Sequence, residues 1–134
     1  MSYSRRFLDT YPRGVALDAD GLAAAIEALH DCAQACAADV DADLSEPNVT
    51  DMVKCIRLCL HCVDICTATA GVTSRLGEYE AEVARPLLEA CIAACRTCGA
   101  ECERHAHAHE HCGICAEACR RCEQACRQLF AALK

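Results

Sequence analysis

Along most of the chain, apolar or small side chains return at alternating steps of three and four, the spacing that keeps a stripe on one face of an α-helix. Four such stripes occur. The first reads Leu22, Ala25, Leu29, Cys32, Cys36, Asp39, Asp43, and the second Met52, Cys55, Cys59, Cys62, Cys66, Thr69, Thr73. The third reads Ala81, Ala84, Leu88, Cys91, Cys95, Cys98, Cys102, His105, His109, and the fourth Cys112, Cys115, Cys119, Cys122, Cys126, Leu129, Leu133. Caps and breakers divide the helices that carry them. Asp18 or Asp20 is placed to cap a first helix over 20–43, and Ser45-Glu46-Pro47 resembles the start of a second that runs to a capping Gly71. A third helix is expected over 77–106, where Pro86 must either kink it or form its true first turn; a fourth follows over 110–132, after the His-rich connection 103–111. Four helices with short links predict an all-α, up-down-up-down four-helix bundle over residues 18–134. Residues 1–17, with Tyr3, Phe7 and Tyr11 ahead of Pro12 and Gly14, read as an N-terminal arm docked on the body or on a neighbour, or else as a partly mobile tail.

Composition changes the picture at one point, the core. The 134 residues hold 15 cysteines, six histidines, no tryptophan and a net charge of -7. Setting aside cysteine and the 26 alanines leaves few large apolar side chains for a domain of this size, so the thiols themselves must fill the interior. The acidic balance argues against a nucleic-acid partner. The start Met1 to Asp9 superficially resembles a twin-arginine export signal, but the stretch Thr10 to Asp18 lacks the apolar segment such signals require. No unbroken run of eighteen apolar residues is present, and no membrane span is expected. The chain is therefore read as cytoplasmic, where clustered thiols hold metal more often than they pair into disulfides.

All fifteen cysteines lie on the stripes: Cys32 and Cys36; Cys55, Cys59, Cys62 and Cys66; Cys91, Cys95, Cys98 and Cys102; Cys112, Cys115, Cys119, Cys122 and Cys126. In an up-down-up-down bundle the stripes describe a tube of thiols. One end collects Asp39, Asp43, Met52, His105, His109 and His111; the other is sealed by Leu22, Leu88, Leu129 and Leu133, with Phe130 beside them. Thiolates select Cu(I), zinc or iron-sulfur clusters. A structural zinc site closes after four ligands, and the pairs Cys59/Cys62, Cys95/Cys98, Cys112/Cys115 and Cys119/Cys122 are steps in longer ladders. Cu(I) is satisfied by two or three sulfurs, which bridge to further ions, and each Cu(I) that replaces a thiol proton leaves the buried unit neutral. A ladder then holds on the order of one ion per cysteine.

These repeated steps on four helices, with the histidine cluster before the last, resemble the copper storage proteins over roughly residues 20–132. The resemblance implies many Cu(I) ions per chain, a homotetramer of bundles, a cytosolic location and histidines that guide copper in at the open end, a role that falls here on His105, His109 and His111. A copper chaperone is a candidate partner, and the residues do not name the donor or the acceptor of the metal. Helix one departs from the pattern in having only two cysteines, with Leu22, Ala25 and Leu29 along its lower stripe. The second helix adds its own argument for an oligomer: besides the thiols it carries Val53, Ile56, Leu60 and Val63 on one flank and Leu58 and Ile65 on the other, apolar surface that either needs a partner copy or packs against helices one and three as a wide seam.

Two other readings stay open on the residues alone. Cys112, Cys115, Cys119 and Cys122 could be taken for a ferredoxin-like set and the protein for an electron carrier, although the ladder is helical and its last cysteine, Cys126, is followed by Arg127 where such motifs place proline. A zinc or cadmium scavenger is the other. An enzyme is not expected, for no nucleophile-base pairing or phosphate loop is present. His30 and His61 fall off the stripes and read as solvated, His107 is evenly balanced, and Asp39, Asp43 and Met52 are as well explained by helix-end solvation and packing as by metal.

Overall fold

The computed structural model describes residues 2–133. Met1, the first residue of the expected arm, and Lys134, the last of the expected bundle, lie outside the described residues. The elements are α1 (Tyr3–Asp9), α2 (Ala19–Leu44), α3 (Val53–Thr73), α4 (Ala81–His105) and α5 (Glu110–Ala132), with a single 3-10 turn, Val49–Met52, leading into α3. No strand is formed among the described residues. Helices α2 to α5 pack in a ring, each against the one before and the one after, and α5 closes back onto α2.

Helix α2 starts where its cap predicts: the Asp18 carboxylate accepts from the Gly21 N–H at 3.0 Å. Other boundaries differ from the expected ones, each for a local reason. Ser45 ends α2 rather than starting the next helix, because its hydroxyl donates back to the Asp41 carbonyl at 3.1 Å and its N–H to that of Ala42. Helix α3 accordingly begins at Val53. It passes through Gly71 and stops at Thr73, with the Ser74 N–H on the Ala70 carbonyl. Helix α4 begins at Ala81, four residues later than expected. Pro86 stands inside it; with no N–H to give, it leaves the Glu82 carbonyl without its usual helical donor.

The stretch Val49–Thr73 is by length and composition apolar enough to cross a membrane, with a mean hydropathy of 1.4 over eighteen residues. It is not an unbroken apolar run, for Lys54, Arg57, His61 and Asp64 interrupt it. Cysteine counts as apolar on such scales, so the thiol stripe adds to the Val, Ile and Leu flanks. Here that stripe lies in the bundle, where Cys55, Cys59, Cys62 and Cys66 are fully buried.

The N-terminal residues form a short helix laid on α2. Leu8 and Val15 pack against the core, and Arg5 pairs with Asp20 and Arg13 with Glu78. Tyr11 lies so close to Gly77 that any side chain there would run into its ring. Gly99 is a second position set by packing: a Cβ would sit 3.2 Å from that of Cys119, so its absence lets α4 approach α5.

Candidate metal centre

The seam positions are the core. All fifteen cysteines are buried free thiols, at most 1% exposed, and steps of three and four put each helix's sulfurs on its inner face. Apart from that of Cys112, their sulfurs form an unbroken path. From Cys55 it runs to Cys102 (3.7 Å), Cys59 (3.7 Å), Cys115 (3.9 Å), Cys36 (3.6 Å) and Cys119 (3.7 Å). It continues to Cys32 (3.8 Å), Cys62 (3.8 Å), Cys66 (3.7 Å) and Cys91 (3.9 Å). Cys98 joins at Cys59 (3.6 Å) and Cys95 at Cys66 (3.7 Å). Cys122 completes a group of four sulfurs with Cys32, Cys66 and Cys95, and Cys126 interacts with Cys91 and Cys122.

Several sets of four sulfurs, among them Cys36, Cys98, Cys115 and Cys119, lie within 4.8 Å of one another. These sets share members, so filling one means sharing its sulfurs with the next, which is the condition for bridging thiolates. The four cysteines of the ferredoxin-like set, by contrast, do not gather around one point. Cys115 meets Cys36 and Cys59, Cys119 meets Cys32 and Cys36, and Cys112 turns to Asp43.

At one end the tube meets oxygen and nitrogen. Asp39, 2% exposed, accepts through Oδ2 from the thiols of Cys59 (3.6 Å), Cys102 (3.7 Å) and Cys55 (3.9 Å). Its other oxygen, Oδ1, lies 2.6 Å from His111 Nδ1, and His111 Nε2 reaches Glu46 at 2.9 Å. Asp43, one turn further, accepts from the Cys112 thiol at 3.5 Å and leaves Oδ2 without a partner. His109 Nδ1 pairs with Glu46 at 2.7 Å, and His105 Nε2 with the buried Glu101 at 3.1 Å. Met52 is fully buried.

Burial shapes the protonation of this end. Desolvation pushes the Asp43 carboxyl up to about 7 and raises Asp39 as well, although the hydrogen bond from His111 works against the rise. Desolvation also raises the Cys112 thiol, reinforced by the charges of Asp39 and Asp43. For His111 desolvation pulls downward, yet the hydrogen bonds to Asp39 and Glu46 outweigh it and the ring is held above its ordinary value. The bond from His111 also lowers Glu46. His111 thus has a carboxylate on each ring nitrogen and takes a metal only by releasing one of them. His105 and His109 each commit one nitrogen to a carboxylate, which leaves the other as the natural donor.

His105, His109 and His111 are therefore brought together at the thiol mouth with Asp39, Asp43 and Met52, while His30, His61 and His107 are exposed. Sequence reasoning missed Glu46 and Glu101, the carboxylates that hold the histidines. Glu101 precedes His105 by four residues, a spacing that signals a same-face pair. Glu46 was hidden by the resemblance of its turn to a helix start.

At the opposite end the seam carries Leu22, Ala25, Leu29, Ala84, Leu88 and Leu129, all buried. Thr69 and Thr73 share that end, where their hydroxyls donate to the Ile65 and Thr69 carbonyls of their own helix.

Comparison with known proteins agrees with this geometry. Residues 18–131 match the profile of the copper storage protein family. The chain is 33% identical over 95 residues to the uncharacterized cysteine-rich protein YhjQ of Bacillus subtilis (strain 168), covering 71% of this chain and 82% of that one. Among solved structures, it resembles the copper storage protein Ccsp from Streptomyces lividans loaded with 10 copper equivalents, with a TM-score of 0.92 and 53% identity over 97% of this chain and 99% of the other. A structure of copper loading to a cytosolic copper storage protein from the same organism, with five coppers, matches at a TM-score of 0.83 and 56% identity, covering 86% and 96% of the two chains. With a matched profile spanning residues 18–131, most of its length, the chain belongs to the copper storage protein family.

Proposed function

We propose that this protein stores Cu(I) in the cytosol as thiolate-bridged ions along the sulfur tube, and that copper comes in at the histidine end. The observation that carries the reading is the continuous sulfur path, with successive contacts of 3.6 to 3.9 Å from Cys55 to Cys91. Each ion finds its next sulfur already in place, and each thiol proton lost is matched by one positive charge, so the buried interior stays neutral as it fills. The ligands are the fifteen cysteines. His105 and His109 offer the first nitrogens, and His111 joins once it lets go of Asp39 or Glu46. The role is storage rather than catalysis, and filling and emptying the tube needs a partner that trades Cu(I), a copper chaperone.

A homotetramer completes this reading. On α3, Leu58, Val63 and Ile65 pack against the core, but Val53 and Leu60 stay about half exposed, at 49% and 47%. Exposed large side chains on a helix this apolar favour a second copy as cover. Sedimentation of the apoprotein checks it, since a chain that remains monomeric with and without copper contradicts the interface.

The storage reading is tested by anaerobic titration of the reduced protein with Cu(I) against a chelator. The expected capacity is on the order of one ion per cysteine, bound by a protein that is helical before metal is added. Saturation at three or four ions would sink the reading in favour of closed, zinc-like sites.

A further inference from the structure

The neck of the tube differs from the four-sulfur groups beneath it in one respect: its fourth donor is oxygen. Cys55, Cys59 and Cys102 converge with Asp39 Oδ2, all four donors buried and within 4.8 Å of one another. The deeper groups of four, such as Cys32, Cys36, Cys62 and Cys119, are all sulfur. We infer that the Asp39, Cys55, Cys59 and Cys102 group is a tetrahedral site for one divalent ion of borderline softness, zinc above all, seated across the path that copper must take.

The spacing fits such an ion. A tetrahedron with bonds of about 2.3 Å to sulfur and about 2.0 Å to oxygen has sulfur–sulfur edges near 3.8 Å and sulfur–oxygen edges near 3.5 Å. Five of the six separations here are 3.7 Å for both Cys55–Cys102 and Cys59–Cys102, and 3.6, 3.7 and 3.9 Å from Asp39 Oδ2 to the three sulfurs, and the sixth, Cys55–Cys59, is within 4.8 Å. The donor set selects as well. Cu(I) gains little from a carboxylate and is content with two or three sulfurs, whereas zinc takes a mixed sulfur and oxygen set and closes at four.

Two further features mark the neck as built for a cation. The free oxygen of Asp39 is held by His111 at 2.6 Å and His111 in turn by Glu46 at 2.9 Å, the kind of outer chain that fixes a ligating carboxylate. One turn away Asp43 is wholly buried with Oδ2 unpartnered, a polar atom beside the site with no donor to satisfy it. A divalent ion with three thiolates and a carboxylate is anionic, and it costs least here, where His111 and Glu46 connect the site to water. Occupied by zinc, the neck would hold Cys55, Cys59 and Cys102 away from copper and slow loading until the softer ion displaced it.

The inference goes beyond copper storage and is tested without copper. Reduced full-length protein is titrated anaerobically with Co(II), whose visible bands report tetrahedral geometry and whose sulfur charge-transfer intensity counts thiolates. The expected result is one Co(II) per chain with a three-thiolate spectrum, bound about tenfold or more tightly than by Asp39→Asn, with exposed Asp41→Asn unchanged. Zinc added before copper should slow Cu(I) uptake in the wild type and not in Asp39→Asn. Equal affinity and an identical spectrum in Asp39→Asn, uptake of several Co(II) with four-thiolate spectra, or no Co(II) binding would each overturn it. If Asp39→Asn does not fold, as judged by circular dichroism, Asp39→Cys decides. A shift to four-thiolate intensity supports ligation by residue 39, and an unchanged spectrum refutes it. Failure of the copper titration would leave these outcomes readable, and the reverse also holds.

Discussion

At one pole of the bundle the seam carries Asp39, Asp43 and Met52, ringed by His105, His109 and His111; at the other the same steps carry Leu22, Ala25, Leu29, Leu88 and Leu129. Both ends are buried along the axis and both are made by helices of the same period. They differ in what burial does. At the leucine end it removes apolar surface from water, which stabilises the fold by about 1.5–3 kcal/mol per large side chain. At the histidine end it desolvates carboxylates and thiols, which costs stability and leaves Asp43 Oδ2 unsatisfied. The thiol tube between them is intermediate, with side chains small and apolar enough to pack without metal and reactive enough to exchange protons for it. One end therefore holds the fold and the other is strained toward a ligand.

The sharpest way to break this contrast is to exchange the expected losses. Leu88→Ala should lower the stability of the apoprotein by about 2–5 kcal/mol in chemical denaturation, with copper capacity nearly intact. Lost capacity with unchanged stability would mean that metal reaches the leucine end. Asp43→Asn should act in the opposite direction. The Asp43 carboxyl titrates at about 7 in the fold, against about 4 in an unfolded chain. Its contribution is fully present below pH 4 and is lost as pH rises through 7. The asparagine variant should therefore be more stable than the wild type at pH 8 by about 1–3 kcal/mol, an advantage that shrinks as pH falls from 7 to 4. A pH-independent difference would show that this carboxyl does not titrate as described.

Replacing His105, His109 and His111 together by alanine should slow Cu(I) loading about tenfold in stopped-flow measurements, the equivalent of about 1.4 kcal/mol of barrier, while barely changing final capacity. If the rate is unchanged and Leu129→Ala or Leu133→Ala accelerates loading instead, copper comes in at the other pole. The smallest effect is expected in the middle. Cys95→Ala should cost the apoprotein about 1 kcal/mol, near the value of one buried methylene-sized group, and should remove one or two copper ions from the titration endpoint. A full collapse of capacity would mean that the sulfur path fills as one closed cluster rather than step by step.

How far this contrast can be read from residues alone depends on the kind of signal. The inner faces were legible because a period of three and four leaves no second choice: the cysteines from Cys32 to Cys126 that fall on the stripes all lie in the core. The contents of the two poles followed from those stripes. Helix ends were less legible, since they depend on short-range bonds that compete. Ser45-Glu46-Pro47 has the composition of a helix start, but the Ser45 hydroxyl bonds back to Asp41 and so terminates α2. Gly71 has the composition of a stop, yet α3 passes through it. The aromatic arm could be read as docking, but not as the helix Tyr3–Asp9. At the site, Glu46 and Glu101 escaped because a stripe names only the residues that face the axis, and these two act from beside it by holding the histidines.

Copper positions in the fully loaded protein, located by anomalous scattering at the copper edge, test the two-pole account most directly. Ions should form a continuous file from the layer of Asp39, Cys55 and Cys102 down to Cys91 and Cys126, with none among Leu22, Leu29, Leu88 and Leu129. A few isolated ions, each at its own CxxC pair, or copper among the leucines would contradict it.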